Sequence, residues 1–346
     1  MPRGETGEFV QSRPGISLLP QHYDDVVVSA SSALILGDGG VNEKILVGSG
    51  DLTFFAPGGS GSVIGGGGNN LIDIPVFDDG SWTISLGNGN NTVQAVGGGS
   101  DTISTGTGHN HILLGDGNSV VFTAGTDTIT ATGNATITAT GADLVYGGKT
   151  LHFVGGSGGS TVFGGGGSDT LTGGSGRDLL VGGLAGHNSI TAGTGTATLI
   201  GGGSGDQLYA NGSQAQLLHA GAGAETLYGT YGSGADTFMG GSGKDLIFGN
   251  AVNNTFIAGS GNATISAAPS ASNVFEFIKG QAGGTELVEN LFSASQVILD
   301  LSGYGGAHYK PTQALTAGGL MVTLSDGSRI TFENIHSGTI TKIIST

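Results

Sequence analysis

Asp169 and Asp178 stand at the same point of two consecutive nine-residue blocks in "GGGGSDTLTGGSGRDLLVGG" (164–183), each behind a run of glycines and two places ahead of a leucine. Asp245 repeats the arrangement in "GGSGKDLIF" (240–248). A carboxylate that closes a glycine loop brings charge to a place where backbone carbonyls, unobstructed by side chains, also come close. Such a set of hard oxygens suits a divalent cation. Other chemistries find less material. There is no H-E-x-x-H for zinc, no G-x-S-x-G for a serine nucleophile and, without cysteine, no thiol. His109 and His111, on either side of Asn110, would share a strand face and could hold a transition metal, or be plain surface residues.

The blocks 164–172, 173–181 and 240–248 all fit G-G-x-G-x-D-x-U-x, with U a large apolar residue. With slips of one or two residues the register runs from 155 to 266 in twelve blocks, whose eighth positions are Val162, Leu171, Leu180, Ile190, Leu199, Leu208, Leu217, Leu227, Phe238, Ile247, Phe256 and Ile265. One inward apolar side chain per block describes a strand-and-turn coil that stacks into a single narrow core. Stacking alternate blocks sorts the sixth positions into two columns. One reads Asp169, Asn188, Asp206, Glu225, Asp245, Ala263, and the other Ser160, Asp178, Ala197, Ala215, Asp236, Asn254.

The glycine, aspartate and apolar positions together resemble the RTX nonapeptide, the calcium-binding repeat of bacterial proteins exported by type I secretion. The resemblance implies an all-β fold, a right-handed parallel β-roll (β-solenoid) of glycine-rich nonapeptide repeats, with calcium held between loops of successive turns by aspartate carboxylates and loop carbonyls. Carried onto this sequence, the metal residues are Asp169, Asp178, Asn188, Asp206, Glu225, Asp236 and Asp245, with Asp101 in a weaker block upstream. The loop glycines are Gly164, Gly165, Gly167, Gly173, Gly174, Gly176, Gly240, Gly241 and Gly243. The first column could ligate calcium along nearly its whole length. The second has a gap at Ala197 and Ala215, so calcium is expected mainly along one edge, with the other closed by backbone hydrogen bonds.

Composition agrees with a cation-binding coil. The 346 residues include 72 glycines and carry 10 Lys+Arg against 26 Asp+Glu, a formal charge of −16. That balance argues against nucleic acid as a partner. Without cysteine, an exported chain needs some other brace than disulfides. No stretch approaches the roughly 18 apolar residues of a membrane span, and no secretory leader is evident at the start, so export is expected to use another address.

The same grammar, with asparagine often replacing aspartate, appears in "GGGGNNLID" (65–73), "VGGGSDTIS" (96–104) and "TGTGHNHIL" (105–113), where calcium should bind weakly or not at all. Between 123 and 146 the period drops to eight, and Thr128, Thr130, Thr132, Thr136, Thr138 and Thr140 form ranks that resemble the ice-binding face of some antifreeze proteins. Beyond 272, Leu320, Val322 and Leu324 followed by Ser325-Asp326-Gly327-Ser328 and then Ile330 and Phe332 read as a hairpin. This tail resembles the C-terminal module of RTX proteins, which carries or adjoins the export signal.

The expected organisation is an N-terminal arm or cap (1–36), a solenoid (37–272, degenerate over 37–154 and RTX-like over 155–266) and a C-terminal capping and secretion module (273–346). Residues 22–36, "HYDDVVVSASSALIL", could alternatively supply the first strands. The expected function is a secreted, calcium-binding structural protein of a Gram-negative bacterium, not an enzyme, which self-assembles into a surface layer, filament or biofilm matrix and has cell-surface polysaccharide as a further partner. Alternatives are an ice-binding solenoid, a carbohydrate-active β-helix enzyme and an accessory export module.

Overall fold

Short runs rich in Val, Ile, Leu and Thr, alternating inward and outward, fold as strands, and the glycine-rich stretches between them turn the chain back onto the next sheet. The computed structural model describes residues 8–19, 25–306 and 309–345. The chain is an all-β parallel solenoid of about fifteen turns. It divides into two compact units, Met1–Gly166 and Gly167–Thr346.

In the first unit, successive strands alternate between two sheets. One runs from Glu8–Gln11 through Asp25–Val28, Val41–Val47 and Ser60–Ile64 to Leu151–Val154, every pairing parallel. Its inward column is Val26, Ile45, Val63, Ile84, Ile103, Val121, Ile137 and Phe153, all buried. The facing sheet runs from Gly15–Leu18 to Thr161–Phe163 with its own column, from Ile35 and Phe54 to Val145 and Val162. The coil therefore takes in the strands Glu8–Gln11, Gly15–Leu18, Asp25–Val28 and Ser32–Leu36. Residues 1–7 and 20–24 of the expected arm or cap lie outside the described residues.

The second unit continues the scheme, one sheet from Thr170–Thr172 to Thr285–Glu289 and the other from Asp178–Val181 to Val297–Ser302. Inside it Phe238, Phe256 and Phe275 stack with ring centroids 5.4 and 5.2 Å apart, and Phe332 meets Phe275 edge-on. The parallel coil thus persists well beyond residue 272. It ends where Arg329–Phe332 joins Thr285–Glu289, and Gly319–Thr323 and Thr312–Thr316 fold back antiparallel. The hairpin pairs Leu320 with Phe332 and Val322 with Ile330.

Two expectations need correction. The eighth position of one block is Leu218, buried and paired with Leu199, whereas Leu217 is 37% exposed. Tandem leucines beside a lengthened loop left the register ambiguous by one residue. Leu218→Ala should therefore cost about 2–5 kcal/mol in denaturant melts and Leu217→Ala well under half of that; equal losses would refute the assignment. Second, the threonines do not share a face. Thr128 and Thr130 lie on one sheet beside His111, Leu113, Leu144 and Tyr146, while Thr136 and Thr138 lie on the other beside Val120, Phe122, His152 and Val154. Alternate blocks stack here too, so the ranks are split and interleaved with larger side chains.

Candidate functional site

The sixth residue of each block lies where loop passes into strand, and its side chain turns into the coil. Asp169, Asp178, Asn188, Asp206, Glu225, Asp236 and Asp245 are all no more than 4% exposed. Asn188, Asp206, Asp236 and Asp245 each accept from the turn before. The Asp169 N–H donates to Asn188 Oδ1 (2.8 Å), the Asn188 N–H to Asp206 Oδ1 (2.8 Å) and the Glu225 N–H to Asp245 Oδ1 (3.2 Å). Across the coil, the Ala197 N–H donates to Gln216 Oε1, the Gln216 N–H to Asp236 Oδ1 and the Asp236 N–H to Asn254 Oδ1. The second carboxylate oxygen often closes its own loop: Asp178, Asp206 and Asp245 accept from the N–H groups of Gly174, Gly202 and Gly241 at 2.8, 2.6 and 2.7 Å.

Both columns are thus ladders of side chain to backbone bonds, and the expected difference between a ligating edge and a backbone-closed edge does not describe them. The position assigned to Ala215 belongs to Gln216, whose amide also donates to Gly195 O and Asn211 O. Sequence reading missed it for the same reason that it missed Leu218. The first unit carries the motif as well. Asn70, Asn91, Asn110, Asp127 and Asp143 follow one another, each accepting from the N–H of the turn before, and Asp101 accepts from the Trp82 N–H at 2.8 Å. Asp101 lies in this unit, apart from the other metal candidates.

Hydrogen bonds do not satisfy every carboxylate. Both oxygens of Glu225, and one each of Asp127, Asp143 and Glu286, are buried with no hydrogen-bond partner. Burial, then the neighbouring Asp245, push Glu225 up to about 8, and burial raises Glu286 to about 8 and Asp143 to about 7. Asp101 and Asp236 are raised by burial to about 6 although each accepts a backbone N–H. A buried carboxylate without a partner is costly as an anion, so these groups call for a proton or a cation.

The donor chemistry fits calcium: hard, anionic oxygens beside closely stacked loop carbonyls. Among the described residues no three His, Asp or Glu side chains come together as a metal-holding group, so most of an oxygen shell would have to come from carbonyls. The loops pack tightly enough to offer them. A Cβ on Gly243 would lie 1.7 Å from Gly223 O, one on Gly241 2.0 Å from Gly221 O, and one on Gly195 2.0 Å from Gly176 O. None of Gly240, Gly241 and Gly243, nor Gly164, Gly165, Gly167, Gly173, Gly174 and Gly176, has a positive φ. Close approach of turn to turn, not left-handed backbone, is what glycine serves here. His109 and His111 stay exposed on the surface.

No curated protein matches the chain. The RTX calcium-binding nonapeptide repeat family does, in four copies over residues 96–121, 154–185 and 230–265. The first of these stretches covers blocks in which asparagine had counted against the repeat, and the other two hold all three full matches. Repeat, coil and buried oxygen columns agree: the chain is a β-roll that carries RTX calcium-binding nonapeptide repeats.

Proposed function

We propose that the protein is a secreted structural component of a Gram-negative cell surface, a β-roll that folds on calcium and assembles with copies of itself into a layer, filament or matrix. The observation that carries this reading is the set of buried carboxylate oxygens that accept no hydrogen bond, both of Glu225 and one each of Asp127, Asp143 and Glu286, in a chain with 26 acidic and 10 basic side chains. In a calcium-poor cytosol these groups oppose folding, and the chain stays export-competent; Ca²⁺, where it is available, supplies the neutralising charge. Asp169, Asp178, Asn188, Asp206, Glu225, Asp236, Asp245 and Asp101, with the loop carbonyls, are the residues that would hold it.

Assembly is supported by apolar surface on the first strands: Ile16 and Leu18 of Gly15–Leu18 are 72% and 73% exposed, and Val10 is 55% exposed. The coil occupies most of the described residues, which favours a structural role over an enzymatic one. Among the described residues no helix is long and apolar enough to cross a membrane. The C-terminal module is proposed to carry the export signal. Negative-stain electron microscopy and sedimentation velocity in calcium test assembly. Ordered multimers that disperse in Ile16→Lys/Leu18→Lys are expected; monomers at high concentration would count against it.

A further inference from the structure

Three of the chain's seven tyrosines meet on the outside of one sheet in the second unit. Tyr209, Tyr228 and Phe248 occupy one outward column on consecutive same-sheet strands, their rings stacked nearly parallel with centroids 4.9 and 5.3 Å apart. Tyr231 comes from a different place. The spacing of buried core residues lengthens from nine to ten between Leu208 and Leu218 and to eleven between Leu227 and Phe238. The two longer loops touch through the bridge Gly212–Gly232, with the Ser233 N–H donating to Gly212 O at 2.7 Å. That contact sets Tyr231 edge-on against both Tyr209 and Tyr228, with its own ring 66% exposed.

The stack stops at Tyr209. The next residue in its column is Thr191, too short to cover a ring. At that point a cleft of about 350 Å³ opens, lined by Ser189, Thr191, Tyr209, Ala210, Asn211 and Tyr231. The lining holds two phenol rings, the hydroxyls of Ser189 and Thr191 and the Asn211 amide, and no charged side chain. An apolar face bordered by neutral donors and acceptors matches a ligand that is itself apolar on one face and hydroxylated at its rim. We infer that this cleft binds a neutral sugar ring, stacked on the open face of Tyr209 and flanked by Tyr231, as a recognition site for neutral polysaccharide.

The test uses the full chain in calcium. Saturation-transfer NMR and affinity electrophoresis are run against maltohexaose, cellohexaose, laminarihexaose and the acidic polymer alginate. At least one neutral glucan should bind, and Tyr231→Ala should weaken it at least about tenfold. Thr191→Tyr adds a ring to the stack and covers the Tyr209 face while keeping the fold, and should abolish binding. Tyr146→Ala, which removes a surface ring stacked on Phe163 in the first unit, should leave it unchanged. The proposal is overturned if no neutral glucan binds, if Thr191→Tyr binds as well as the parent, or if only alginate binds and EGTA abolishes that binding. Self-association in the absence of glycan that Tyr231→Ala dissolves would also overturn it, because the patch would then serve a second copy.

Discussion

Melted in EGTA, the roll is expected to gain stability as the pH falls from about 8 to about 5, the reverse of ordinary acid denaturation. Glu225 and Glu286 are raised to about 8, Asp143 to about 7, and Asp101 and Asp236 to about 6, all from an ordinary carboxylate range near 4. A carboxyl group whose pKa is higher folded than unfolded binds its proton more tightly in the folded state. Its contribution is complete below the unfolded pKa and disappears as the pH climbs through the folded one. The window is therefore pH 4 to 8, and with five such groups the melting temperature should rise by about 10 °C or more between its upper and middle parts. Saturating calcium competes for the same oxygens, so its stabilisation should be largest at pH 8 and shrink toward pH 5.

One substitution separates charge from shape. Glu225→Gln keeps the length of the side chain and removes the anion, and Gln216 already shows how a glutamine fills such a position, accepting one N–H and donating to two carbonyls. In EGTA at pH 8 the variant should melt above the parent, and in calcium it should lose that advantage. Circular dichroism melts across pH read both effects. A parent whose melting temperature in EGTA is flat or rises from pH 5 to 8 would show that these carboxylates are not carrying buried charge.

The core was legible in the sequence because an inward side chain recurs once per block, and nothing but a stacked coil repeats apolar residues so narrowly for so long. Alternate stacking was legible for 155–266, and the same rule, carried upstream, would have divided Thr128 and Thr130 from Thr136 and Thr138. Direction was not legible. An aspartate closing a loop can point out toward an ion or inward to a backbone N–H of the turn before, and spacing is the same for both. Only the fold shows that Asp206 and Asp245 accept from N–H groups with both oxygens while the Glu225 carboxylate between them accepts from none. Tyr209, Tyr228 and Phe248, each about one full turn apart, carry in their spacing the signal of a stacked outward column.

Gly243→Ala is expected to cost roughly 3 kcal/mol or more, although it adds a single methyl group to an exposed loop. Stacked turns lie about 4.8 Å apart, and at this position the Cα–Cβ direction points along the stack. The new carbon would lie 1.7 Å from Gly223 O and 2.4 Å from Gly223 C, both backbone atoms that no rotamer change can move aside. The turns must part, which strains the 3.0 Å bond from the Asn262 N–H to Gly243 O on the other side. Gly280→Ala gives the contrast: Gly280 has a φ of +85° with nothing within 4 Å of its would-be Cβ, so it bears a backbone penalty of about 1 kcal/mol and no collision. Urea melts of the two variants in calcium decide between packing and backbone conformation as the reason for glycine, and equal losses would favour conformation. Calcium titrations extend the comparison. If loop carbonyls supply most of the oxygen shell, parting the turns at Gly243 should lower calcium affinity as well as stability, whereas Gly280→Ala should leave affinity unchanged.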